Sequence, residues 1–129
     1  MVLIRVLLFP ALFTIAASSE HRTPPATHWT VVVCASVASQ VTLQAGPGRD
    51  DNDVFATWHA ADAHKVFALP DRVQGLTKIY FQASTPEGDK QRQTYLCVKY
   101  DGVPKKWMQF DKNENHDIQA GDSESSCTC

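Results

Sequence analysis

The chain has 129 residues, with 12 Lys and Arg against 14 Asp and Glu, for a formal net charge of −2. This length supports a single domain with a modest core. A slightly acidic chain without a basic run lacks the electrostatic footprint of a nucleic-acid or anionic-membrane binder, so neither is an expected partner.

Residues 1–18 read as a secretory signal peptide. One cation, Arg5, sits in the apolar run from Val2 to Phe13, and small residues follow at Ala16-Ala17-Ser18-Ser19. A signal peptidase reads that order, with Ala16 and Ser18 or Ala17 and Ser19 as the small −3/−1 pair. The run is interrupted by Pro10 and falls short of the ~20 residues a spanning helix needs. Cleavage would remove Arg5, leaving 12 − 1 = 11 cations against 14 carboxylates, or −3. The expected address is extracellular. No Asn-x-Ser/Thr sequon occurs, so no face is reserved for an N-glycan.

Residues 19–28 are a polar lead-in containing Pro24-Pro25, and residues 29–129 form one domain. Residues 29–37 (WTVVVCASV) are β-branched and apolar on both faces, which predicts a central strand with Cys34 buried in it. A second strand is predicted over 40–45. Residues 46–53 (GPGRDDND) combine turn formers with charge and no periodicity, which predicts a projecting loop. Weaker strand patterns cover 54–58 and 66–69, separated by the alanine-rich segment 59–65, which would fit one helical turn.

Strand patterns then recur at 76–84, 91–100 and 103–110. The loop 85–90 separates the first two, and Asp101-Gly102 separates the last two. Folding these as a symmetric meander places Ile79, Leu96 and Trp107 on one face. Tyr80, Tyr95 and Met108 line the other, together with Cys97, so the C-terminal tail should cross that side. Pro104 predicts that the last of these strands is a sheet edge. The fold class expected is all-β: a small antiparallel sandwich or barrel held by two disulfides.

Cys34, Cys97, Cys127 and Cys129 all follow the export signal, and an even count in a short secreted chain reads as two disulfides. A Cys127–Cys129 bridge would strain disulfide geometry, so Cys34 and Cys97 are each expected to take one tail cysteine, in an order the sequence leaves open. The spacing lacks the paired C-x2-C of a zinc site, and neither metal nor cofactor is expected.

Three constellations bear on function. Residues 111–122 place oxygen donors at relative positions 1, 3, 5 and 12, in the manner of an EF-hand calcium loop. However, His116 stands where Gly is required and Asp122 replaces the bidentate Glu, which favours a solvated polar loop. His59, His64 and His116 are candidates for acid–base chemistry in an RNase-like hydrolase. On a helix His59 and His64 would lie about 140° apart and would not converge. The clear strands carry no His or Glu, and no G-x-S-x-G, H-E-x-x-H or P-loop pattern is present. The third is the 46–53 loop, suited to presenting a binding epitope from a stapled sheet. Its contact residues would be Gly46, Pro47, Gly48, Arg49 and Asp50, with the 85–90 loop beside them and Trp58 or Trp107 as an anchor if exposed.

An export signal, a mature chain of 129 − 18 = 111 residues, four cysteines, no enzymatic signature and a Cys127-Thr128-Cys129 ending are together similar to small secreted effector proteins of plant-associated fungi. A monomer is expected, and the resemblance implies that it acts outside the producing cell. It would do so through contact with a host extracellular protein, most concretely by inhibiting a protease.

Overall fold

The structure is a computed structural model that describes residues 28–59, 64–86, 88 and 93–127, with only the backbone of His59. The signal segment, nearly all of the lead-in, residues 60–63 of the alanine-rich segment, Glu87, Asp89 and Lys90 of the 85–90 loop, and Cys129 lie outside the described residues.

Eight strands form two four-stranded antiparallel sheets. They are β1 (Trp29–Ser36), β2 (Gln40–Gly48), β3 (Asp51–His59), β4 (Lys65–Ala68), β5 (Lys78–Ser84), β6 (Thr94–Tyr100), β7 (Val103–Phe110) and β8 (Glu114–Gln119). The orders are β4-β1-β6-β7 and β3-β2-β5-β8. A single 3-10 turn at Asp71–Val73 is the only helical element among the described residues.

The core follows from the period of two along each strand. From the first sheet, Trp29, Val31, Val33, Leu96, Val98 and Met108 point inward. They meet Val41, Leu43, Ala45, Trp58, Phe81 and Ile118 from the second. Each fully buried side chain of this kind stabilises by about 1.5–3 kcal/mol relative to exposure. The side chain of Gln74 clasps the start of β1: its Oε1 accepts from Trp29 N (2.6 Å), and its Nε2 donates to the carbonyls of Trp29 (2.9 Å) and Leu69 (3.0 Å). The Trp29 indole donates to the carbonyl of Leu76 (2.8 Å).

β1 is central, as its apolar run predicts, and Pro104 does mark an edge strand, β7. Cys34, expected to be buried, is half-buried on the outer face of β1. The 85–90 connection is not a hairpin turn. It carries the chain from β5 in one sheet to β6 in the other, so β5 and β6 do not pair and the three-stranded meander does not form. Nothing in a strand's own pattern says which sheet it joins, and pairing neighbours in sequence was the wrong default.

The face assignments change for a second reason. Asp101 (φ 51°) and Gly102 (φ 78°) make the tight turn with both residues in the left-handed region, as a type I′ hairpin requires. Past the turn, Lys99 pairs with Pro104 but Val98 pairs with Lys106, so Lys105 is an extra, bulged residue. One extra residue exchanges the faces of everything beyond it. Leu96 therefore opposes Met108 in the core, and Trp107 joins Cys97 on the outer face. The tail crosses that outer face, as expected: Cys127 is bridged to Cys97 with Cα atoms 5.7 Å apart, in a small buried cluster with Val32.

Candidate functional site

Residues 46–53, read in sequence as a loop, form the closed end of the β2–β3 hairpin. Gly48 pairs with Asp51, leaving only Arg49 and Asp50 in the turn. The Gly-Pro-Gly composition is accommodated by a bulge between Ala45 and Gly48. Pro47 sits in it, where its missing N–H interrupts no ladder bond. Gly46 is buried, and a Cβ there would overlap the carbonyl of Asp51 and stand 2.8 Å from Asn52 Cβ. The strands can close only over a glycine.

Side chains fix the tip from three directions. Asn52 Nδ2 donates to the Arg49 carbonyl (2.6 Å), and Gln44 Nε2 donates to Asn52 Oδ1 (2.8 Å). From the 3-10 turn, Arg72 donates through Nη1 to Asp51 Oδ1 and through Nε to Asp53 Oδ2, both at 2.8 Å. The hydrogen bond to Asp51 is the main cause holding the Arg72 guanidinium above its ordinary pKa; partial desolvation opposes it, and the bond to Asp53 adds to it. Arg49 folds back so that its guanidinium carbon lies 5.2 Å from the centroid of the Tyr80 ring. Pro47, Arg49, Asp50 and Asp51 remain exposed around this frame. Arg72 and its two aspartates were not among the residues singled out from sequence. The ion pairs join residues about 20 positions apart with no spacing signature, and only the alternation of Asp51 and Asp53 along a strand hinted at a common partner.

Trp58 is not an anchor. It is 1% exposed in the core, opposite Val41, and its ring lies edge-on to Phe67. Its Nε1 is buried without a hydrogen-bond partner. Trp107 is half-buried on the outer face of β7, packed on the Cys97–Cys127 cluster and stacked with Tyr95 (centroids 6.0 Å apart). It lies on the opposite sheet from the hairpin tip, so the tip and Trp107 do not form one surface.

The histidines do not converge. His59 and His116 lie on β3 and β8, the two edges of one sheet, three strand spacings or about 14 Å apart. The register adds an offset of five residues along the strands, roughly 16 Å more. His64 enters β4 in the other sheet with φ of 68°. His116 Nε2 is 3.2 Å from Glu114 Oε1 on its own strand.

The 111–122 segment is not a loop. β8 draws residues 114–119 out straight over ~16 Å, separating Asp111 from Asp122. Asn115 Oδ1 accepts from the Tyr80 hydroxyl (2.7 Å), and Asp122 Oδ2 accepts from Gln119 N (2.9 Å). No three His, Cys, Asp or Glu among the described residues are placed to hold a metal ion.

Cys34 is disulfide-bonded, as are Cys97 and Cys127, and no described cysteine is free. No known protein family, curated protein or solved structure matches the chain.

Proposed function

We propose that the chain is exported and acts outside the cell as a non-catalytic, effector-type binding protein. It contacts a host extracellular protein through the β2–β3 hairpin tip, with inhibition of a host protease as the most concrete form. The observation carrying this reading is the clamp of Arg72 on Asp51 and Asp53, which holds an exposed Pro47-Gly48-Arg49-Asp50 apex in one conformation. A recognition element ordered before contact loses less conformational entropy on binding than a loose loop does. Because the flanking backbone is already paired within the sheet, the contact would come from the side chains of Pro47, Arg49 and Asp50. An extended strand inserted into a protease cleft is a poorer fit. The scattered histidines lend no support to the hydrolase alternative, and the straight β8 lends none to a calcium module.

The test is capture from the extracellular fluid of a host plant on the immobilised, disulfide-bonded chain, alongside protease assays of that fluid. A captured protein that is lost with Arg49→Ala/Asp50→Ala supports the reading. Failure to capture any protein, with protease activity unchanged, overturns it. So does capture indifferent to the double variant.

A further inference from the structure

We propose that the outer face of the β3-β2-β5-β8 sheet is a binding site for a neutral oligosaccharide, read by the side-chain amides of Gln44, Gln82 and Asn115. These three residues are in register: Gln44 of β2 is opposite Gln82 of β5, which is opposite Asn115 of β8. They form a single row across three adjacent strands, about 10 Å from end to end.

Each carboxamide brings one acceptor oxygen and two N–H donors. Their contacts within the protein use only part of that capacity. Gln44 donates through Nε2 to Asn52 Oδ1. The Tyr80 hydroxyl donates to Asn115 Oδ1 and lies 3.3 Å from Gln82 Oε1. The Oε1 of Gln44, the Nε2 of Gln82 and the Nδ2 of Asn115 have no protein partner among the described residues. From the adjacent row the Tyr80 hydroxyl therefore holds the Asn115 amide and touches that of Gln82, while the N–H ends of both groups stay open. The row on one side holds the hydroxyls of Thr42 and Ser84. On the other side Gly46 is opposite Tyr80, and Asn52 closes over the glycine while Arg49 covers the phenol ring.

The chemistry of the row selects the ligand. A solvated sheet face is ordinarily rich in ionised side chains, yet this row has none; Arg49 and Asp117 stand at its margin. Neutral amides can be desolvated against a partner's hydroxyls at far lower cost than ions. Closely spaced donors and acceptors suit a ligand that presents both kinds of group at short intervals, as a sugar chain does. A protein partner fits less well. Protein interfaces concentrate aromatic, Met and Arg side chains in their centres, and peptide strands dock on the backbone of sheet edges. This row instead presents amide side chains on the sheet's face from β2 to β8, and the adjacent Tyr80 is 3% exposed.

The site is separate from the hairpin apex and is tested separately. The 15N-labelled, disulfide-bonded chain is titrated with cellohexaose, chitohexaose and mannohexaose, with hexagalacturonate as the anionic control. Saturable shifts of the Gln44, Gln82 and Asn115 side-chain amide signals are expected with at least one neutral hexasaccharide. Gln82→Ala/Asn115→Ala should weaken that Kd by about tenfold or more with the melting temperature retained. Gln82→Glu, which keeps the shape and adds charge, should weaken it as well. Three results would overturn the proposal: no neutral hexasaccharide moving these signals at millimolar concentration, binding that survives both variants, or binding of the anionic sugar alone.

Discussion

Arg49, at the apex of a hairpin turn, lies with its guanidinium carbon 5.2 Å from the centre of the Tyr80 ring on the neighbouring strand. That placement explains how a tyrosine on the outer face of a sheet is nearly inaccessible to water. An exposed cation–π contact is worth about 0.5–1 kcal/mol. Arg49→Ala should therefore leave urea stability within about 1 kcal/mol of the parent while increasing the reactivity of Tyr80 toward a tyrosine-modifying reagent. A large stability loss would show that the apex is more integral to the fold than the contact implies.

Two glycines two residues apart should behave differently. Gly46→Ala drives a methyl group into the backbone of Asp51 and Asn52, whereas a Cβ at Gly48 meets nothing within 4 Å. Overpacking of this kind costs about 1–3 kcal/mol. Urea denaturation should give a destabilisation in or above that range for Gly46→Ala and a shift near zero for Gly48→Ala. Equal effects would mean that the hairpin does not close in the register described.

The two tryptophans singled out from sequence also divide. Trp58 is enclosed by core, so Trp58→Ala should cost about 3–5 kcal/mol. Trp58→Phe removes the unpaired Nε1 along with some volume, and relief of that buried donor should offset part of the cavity cost. Trp107→Phe, on a half-exposed face, should be milder than Trp58→Ala in the same denaturation assay.

The Arg72 clamp is exposed, and its effect is expected in local order rather than in global stability. Arg72→Ala should accelerate amide exchange at residues 48–53 and leave exchange in β6 unchanged. Because the guanidinium is held above its ordinary pKa, its contribution is fully present below that ordinary value and is lost only when pH rises through the raised one. Exchange differences between parent and variant should consequently persist from neutral into mildly alkaline solution. A tip equally protected in the variant would remove the basis for calling it preordered.

The Cys97–Cys127 bridge spans 30 residues, for which loop-closure entropy predicts about 3–4 kcal/mol. Cys97→Ala/Cys127→Ala should lose roughly that much in chemical denaturation. Since Cys34 is also bonded and the sequence has four cysteines, non-reducing peptide mapping should recover Cys34 linked to Cys129. A Cys34–Cys127 peptide would contradict the arrangement of the tail.

The features legible in the sequence were those set by a single residue's chemistry. Val31 to Val33 marked a central strand, Pro104 marked an edge, and Cys97 pointed to the tail. The features that were not legible depended on relationships between segments. Lys105 carries no mark of being bulged, yet it exchanges Trp107 and Met108 between core and surface. The glycines and proline at 46–48 resemble a loop because their role, close approach of two backbones, is visible only once Asn52 is beside them. The row of Gln44, Gln82 and Asn115 joins three strands far apart in the chain, and no local motif could have assembled it.

The bulge at Lys105 and the proline before it have an effect beyond side-chain placement. β7 is the outer strand of its sheet, and an unpaired strand edge is a template on which a second chain can add. Pro104 removes one amide from that edge, and the extra residue beside it breaks the regular spacing of the others. The opposite edge, β4, is only four residues long. The chain thus carries, on both flanks of one sheet, an obstacle to growing into an aggregate.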